Sequence, residues 1–147
     1  MSAKPKILVA FRPSLYQLLY PPETDAALRA FGDVTFHDSE AGLTSEELAE
    51  GVPGFEAVLS SWGTPRFTEE VLDAADRLKI VAHTAGSIKN MLPRPVFEHG
   101  IVVTHAASAI AGAVADLSLA LTMLLLRHVH SNDRLLRDGQ WGAARDL

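Results

Sequence analysis

The chain has no cysteine. That excludes a disulfide framework and any thiolate metal site, and it fits a reducing compartment. Positive charge is not in excess either: 13 Lys and Arg face 18 Asp and Glu, leaving a formal charge of -5 and a sequence pI of 5.6. Nucleic-acid-binding domains usually carry a basic patch and a pI above about 9, so nucleic acid is not an expected partner. No low-complexity segment, tandem repeat or Pro/Gly-rich linker interrupts the 147 residues. The N-terminus, MSAKPKILVAF, lacks an apolar stretch long enough for a signal peptide, because lysines interrupt it and Arg12-Pro13 follow at once. A cytoplasmic protein is expected.

What is present is a globular composition, 48% hydrophobic and 21% charged. A chain of this length can bury about 68–70% of its unfolded surface in one core. Short apolar runs at Lys6–Phe11, Val34–His37, Glu56–Ser60, Lys79–His83 and Ile101–Thr104 read as strands. Between them lie helical signals. Pro22-Glu23-Thr24 open one helix and Gly32 closes it; Thr44 with Glu47 three residues on makes a capping box; Thr68–Ala75 and Pro95–His99 supply two more. Five strands alternating with helices predict an α/β doubly wound five-stranded parallel sheet, flavodoxin-like in order 2-1-3-4-5. This domain is expected to occupy residues 1–104, with residues 105–147 forming a long helix and tail.

That helix is the densest signal in the chain. Ala106–Arg127 is apolar on nearly every side, so it needs partners on more than one face. Length alone would suit a bilayer, but Asp116 sits in the middle with Ser108, Ser118 and Thr122, and no aromatic anchors flank it. A membrane is therefore not expected, and a homodimer through 106–127 is.

Ligands of doubly wound sheets bind beyond the carboxyl ends of the strands. Here that edge carries Arg12, Ser60–Gly63, His83–Ser87 and Thr104–Ser108. The Thr84-Ala85-Gly86-Ser87-Ile88 segment, built of small residues, is either a tight turn or a set of backbone N–H groups able to hold a carboxylate or phosphate. Trp62 is either a pocket wall or a packing residue, and Arg12 either an anion partner or a solvated cation. His83 and His105 sit at neighbouring strand ends without a carboxylate at metal-ligand spacing, so no metal site is expected. No Gly-x-Gly-x-x-Gly, Walker loop or Gly-x-Ser-x-Gly elbow occurs, and no self-contained catalytic set is visible.

Three segments together resemble the N-terminal part of the D-isomer-specific 2-hydroxyacid dehydrogenases, which include phosphoglycerate, glyoxylate/hydroxypyruvate and D-lactate dehydrogenases. They are Leu78–Ile88 (LKIVAHTAGSI), Gly100–His105 (GIVVTH) and Val114–Leu121 (VADLSLAL), completed by Arg127 and the Leu136–Trp141 ending (LRDGQW). The resemblance implies that Ala85, Gly86 and Ser87 bind a substrate carboxylate, with Trp62 bordering the pocket. It places His105, Ala107 and Ser108 near the nicotinamide of NAD or NADP. It also implies an oxidoreductase moving hydride between NAD(P) and a small D-2-hydroxy or 2-keto acid. Family enzymes continue into a nucleotide-binding domain that supplies the glycine fingerprint and the catalytic arginine, glutamate and histidine. The expectation is therefore a truncated substrate-binding domain that is inactive alone, without catalytic residues and with no cofactor bound. A stand-alone flavodoxin-like binding or interaction module is the alternative. Where many members have Gly-x-Gly-x-Asp this chain reads Ala85-Gly86-Ser87-Ile88-Lys89, the usual Val-Ala-Glu is Val114-Ala115-Asp116, and Ile110 stands where the branch with a serine-containing turn often has asparagine.

Overall fold

The computed structural model describes residues 4–37 and 39–145. The chain divides into two units, Met1–Ala107 and Ser108–Leu147.

The first unit is a five-stranded, all-parallel sheet in the order β2-β1-β3-β4-β5. Its strands are β1 (Lys6–Val9), β2 (Asp33–Phe36), β3 (Ala57–Ser60), β4 (Ile80–His83) and β5 (Val102–His105). The connecting helices are α1 (Pro13–Leu19), α2 (Pro22–Phe31), α3 (Ser45–Gly51), α4 (Glu69–Ala74) and α5 (Pro95–Glu98). The expected order is thus observed. Strand limits move by a residue or more where pairing decides them: β5 runs on to His105, because His105 stands in register with His83.

Side-chain alternation sorts the apolar residues into two cores, one on each face. Leu8, Val58 and Val81 face α3, α4 and α5, burying Leu48, Val52, Phe67, Val71, Leu72 and Val96. Ile7, Val9 and Leu59 face α1 and α2, burying Phe11, Leu15 and Tyr16. The strands are short and apolar because both sides of the sheet centre are covered.

Local chemistry sets the helix starts. Thr44 accepts a hydrogen bond from the Glu47 N–H at 3.2 Å while Glu47 Oε2 accepts one from the Thr44 N–H at 2.8 Å, completing the capping box. Thr68 caps α4 by a single bond, its hydroxyl accepting the Val71 N–H at 3.4 Å. One helix of this unit is not foreshadowed by the sequence pattern. Pro13 occupies the first position of α1, where its missing N–H costs nothing, and Leu15 and Tyr16 are buried beneath it.

The second unit contains α6 (Ala107–Leu126, whose first residue closes the preceding unit), α7 (Val129–Arg137) and α8 (Trp141–Arg145). No residue of α6 is buried, and its 20 residues, with a mean hydropathy of 2.1 over an 18-residue window, would suit a membrane span by length and composition. Ser118 and Thr122 donate their hydroxyls to the carbonyls of Val114 and Ser118, at 2.7 and 2.8 Å, which removes their polarity from the helix surface. The helix stops at His128, whose left-handed φ of 50° breaks the ladder before α7 begins.

Candidate functional site

Every strand of the sheet points its carboxyl end to the same edge, and four loops gather there. The loop after β3 is tied down by one hydroxyl: Thr64 Oγ1 accepts the Ser61 N–H at 3.0 Å and donates to the Ala10 carbonyl at 2.9 Å. Gly63 completes the turn with a φ of 86°, a value that favours glycine. This bracing pushes Trp62 outward, 59% exposed, where it lines a cleft of about 210 Å³ with Arg12, Ala41, Gly42 and Gly63. The two loops come close there; a Cβ on Gly42 would stand 3.7 Å from the Gly63 carbonyl oxygen.

Beside it, β4 ends in a buried polar pair. Ser60 Oγ and His83 Nδ1 are 3.1 Å apart, with both residues buried. Burial, and then the neighbouring His105, lowers the His83 pKa below the ordinary 6.5, so the neutral ring is favoured. The Ser60 carbonyl accepts both the Thr84 N–H, at 2.8 Å, and the Thr84 hydroxyl, at 3.1 Å. The start of the Thr84–Ile88 turn is therefore fixed to β3, and the Ala106 N–H, bonded to the Ala85 carbonyl at 3.0 Å, fixes it to the residue after β5.

Among the described residues, the N–H groups of Gly86 and Ser87 have no hydrogen-bond partner. Ala85 is buried and Ser87 exposed, so the turn rises out of the sheet at this point. Ser61, only 2% exposed, has a hydroxyl with no partner among the described residues. Sequence reading placed Ser61 on this edge but gave no reason to single it out, because an unpartnered hydroxyl is a property of its surroundings.

His105 closes the edge. Its Nδ1 accepts the Ala107 N–H at 3.2 Å, which leaves the ring proton on Nε2 when the ring is neutral. Ala107 ends the first unit and Ser108 opens the second. No group of three His, Asp or Glu able to hold a metal occurs among the described residues. The arrangement provides unpaired backbone donors, a buried hydroxyl and a tryptophan-walled cleft, but no nucleophile with a base and orienting group. It is the carboxyl edge of an α/β domain of the doubly wound parallel class.

The comparisons narrow the class to a family. Residues 14–136 match the family described as D-isomer specific 2-hydroxyacid dehydrogenase, catalytic domain, and the chain belongs to that family. It is 31% identical over 109 residues to the glyoxylate reductase of Pyrococcus furiosus, covering 74% of this chain and 32% of that enzyme. To the chloroplastic D-3-phosphoglycerate dehydrogenase 2 of Arabidopsis thaliana it is 35% identical over 115 residues, covering 78% and 18% respectively. A crystal structure of a Pyrococcus horikoshii protein superposes with a TM-score of 0.76 at 28% identity, covering 94% of this chain and 38% of that one. The chain thus spans between 24% and 39% of the length of the first curated relatives it matches.

Proposed function

We propose that this chain is the substrate-binding part of an NAD(P)-dependent oxidoreductase that interconverts a small D-2-hydroxy acid and its 2-keto acid. The observation that carries the reading is the pair of N–H groups at Gly86 and Ser87, without partners among the described residues, at the carboxyl end of β4 in a chain of this family. Two unpaired backbone donors at a strand end suit the carboxylate common to such acids, and charge-assisted bonds to it are roughly twice as strong as neutral ones. Ala85 holds the turn down, Trp62 borders the acid's remaining substituent, and the Ser61 hydroxyl is available to the same molecule.

A nicotinamide supplies or accepts the hydride when it is bound. His105, Ala107 and Ser108 are the residues proposed to border it, with the Nε2–H of His105 as the polar group on offer. The glycine fingerprint that would hold a dinucleotide is not in this sequence. The chain by itself is accordingly proposed to bind the acid without turning it over, in the cytoplasm, without a membrane or nucleic acid, and as a homodimer through α6.

The test is a titration of the chain with pyruvate or glyoxylate, followed by amide chemical shifts, with acetate as a plain anion. Saturable shifts centred on Ala85, Gly86 and Ser87, larger for the keto acids, are expected. Absence of saturation, or shifts elsewhere in the sheet, would remove the substrate reading and leave a binding module of another kind. The same samples supplied with NADH or NADPH are expected to show no nicotinamide oxidation; steady turnover would overturn the proposed inactivity.

A further inference from the structure

A second cavity, of about 570 Å³, lies at the β2 edge of the sheet. Its lining includes Tyr16 and Tyr20, Asp25 and Arg29, and Phe36. The volume is within the range of small-molecule sites, about 300–1,000 Å³. In the order β2-β1-β3-β4, three strand spacings of about 4.8 Å separate β2 from β4, roughly 14 Å in all. The cavity is therefore not the turn assigned to the substrate carboxylate, and the inference stands independently of that assignment.

Its walls are aromatic. The rings of Tyr16 and Tyr20 stack with centroids 4.3 Å apart and planes 5° from parallel, and Phe36 meets Tyr16 edge-on at 4.7 Å. Its polar groups are unevenly satisfied. Asp25 Oδ1 accepts the Tyr16 hydroxyl at 2.7 Å and Arg29 Nε at 3.0 Å, while Oδ2 accepts Arg29 Nε at 2.9 Å. Both carboxylate oxygens are thus occupied. The guanidinium is held by its Nε alone, with its carbon 5.3 Å from the Phe36 ring centre. Among the described residues neither Nη of Arg29 nor the Tyr20 hydroxyl makes a hydrogen bond, and the Arg29 side chain is 51% exposed.

An ion pair of this kind is neutral overall, so net charge does not choose the ligand. Direction does: among the described residues the donors at the Nη edge have no partner, whereas each Asp25 oxygen already accepts a bond. A guest must bring acceptor oxygens to the guanidinium and a flat apolar body to the rings. We propose that the Tyr16–Tyr20–Phe36 cavity binds a planar aromatic carboxylate, its oxygens on the Nη groups of Arg29 and its ring against Tyr20 and Phe36. A ligand seated there would bridge α1, α2 and β2, three elements that hold the β2 edge together.

The probe is 2-naphthoate, with 2-naphthamide as its neutral counterpart and 2-naphthylmethylamine as a cation, titrated into the chain and followed by chemical shifts. Expected are saturable binding of the acid, shifts at Tyr20, Arg29 and Phe36, and binding of the amide and amine at least about tenfold weaker, the scale of a charge-assisted pair. Arg29→Gln is expected to lose about tenfold in affinity for the acid while leaving the amide unchanged. Should that variant not fold, as judged by circular dichroism, Tyr20→Leu removes one wall and leaves the Asp25–Arg29 pair intact, and it too must weaken the acid about tenfold. No saturation, equal binding of acid and amide, tighter binding of the amine, unchanged affinity in the variant that folds, or shifts confined to Ala85–Ser87 would each overturn the proposal.

Discussion

His83 shows how far one residue's meaning depends on its neighbours. On sequence it is a histidine at a strand end; in the fold it is a buried ring sharing a hydrogen bond with Ser60 and facing His105. Its pKa lies below 6.5 because burial, first, and His105, second, oppose the charged form. The sign of the linkage follows. In the window below 6.5 the unfolded chain binds a proton that the folded chain resists, so stability falls as pH drops through that window and is retained above it. The expected outcome is a lower Tm at pH near 5.5 than at pH near 7.5, roughly one unit either side of the unperturbed histidine value, and a smaller difference in His83→Gln. The carboxylates held low by partners, such as Glu56 beside Lys79 and Asp25 beside Arg29, lose their stabilising ionisation in a more acidic range and do not blur this comparison. An equal pH response in the variant would assign the effect to other groups.

At the scale of elements, capping and alternation explain most of the first unit. The Thr44–Glu47 box was legible because Thr-x-x-Glu before an apolar residue is a local pattern, and the structure forms both of its hydrogen bonds. Thr44→Ala is expected to destabilise the first unit by about 1 kcal/mol, the usual cost of removing such a cap. Chemical denaturation with an unchanged m-value is the check, and a change under a few tenths would mean that α3 is held by Leu48 and Val52 alone. By contrast, α1 was not legible. Its seven residues are too few to show a helical period, and Tyr20-Pro21-Pro22 reads as one continuous break before α2. What makes α1 a helix is the burial of Leu15 and Tyr16 on Phe11 and the sheet, a tertiary gain that local propensity does not register. The helices α7 and α8, of nine and five residues, were not legible either, being as short as α1 or little longer.

For the whole molecule the decisive element is α6. Twenty consecutive helical residues without one buried side chain present Leu117, Leu119, Leu121, Met123, Leu125 and Leu126 to solvent. Soluble monomers rarely leave contiguous apolar area beyond a few hundred Å² uncovered. The proposed homodimer through this helix predicts a solution mass of twice 15.9 kDa by light scattering, persisting on dilution into the micromolar range. A monodisperse monomer would overturn the dimer. Replacing Leu119 and Met123 by lysine is expected to dissociate it, since two charges brought into such an interface are left unpaired.

The sequence by itself determined the class of fold, because strand and helix periods, glycine stops and capping residues are local signals and because five alternating units admit few chain paths. It also determined the family, through the segments around Ala85–Ser87, Val102–His105 and Val114–Leu121 that the match over residues 14–136 includes. Only the tertiary structure decided which polar groups found partners. That Ser60 meets His83, and that Ser61 and the Gly86 and Ser87 amides are left without partners among the described residues, follow from how the strands and their loops lie side by side, while the Arg29 guanidinium is placed by α2 packing over Phe36. Ser60 and His83 lie 23 positions apart, and no local pattern in a chain encodes a hydrogen bond across that separation.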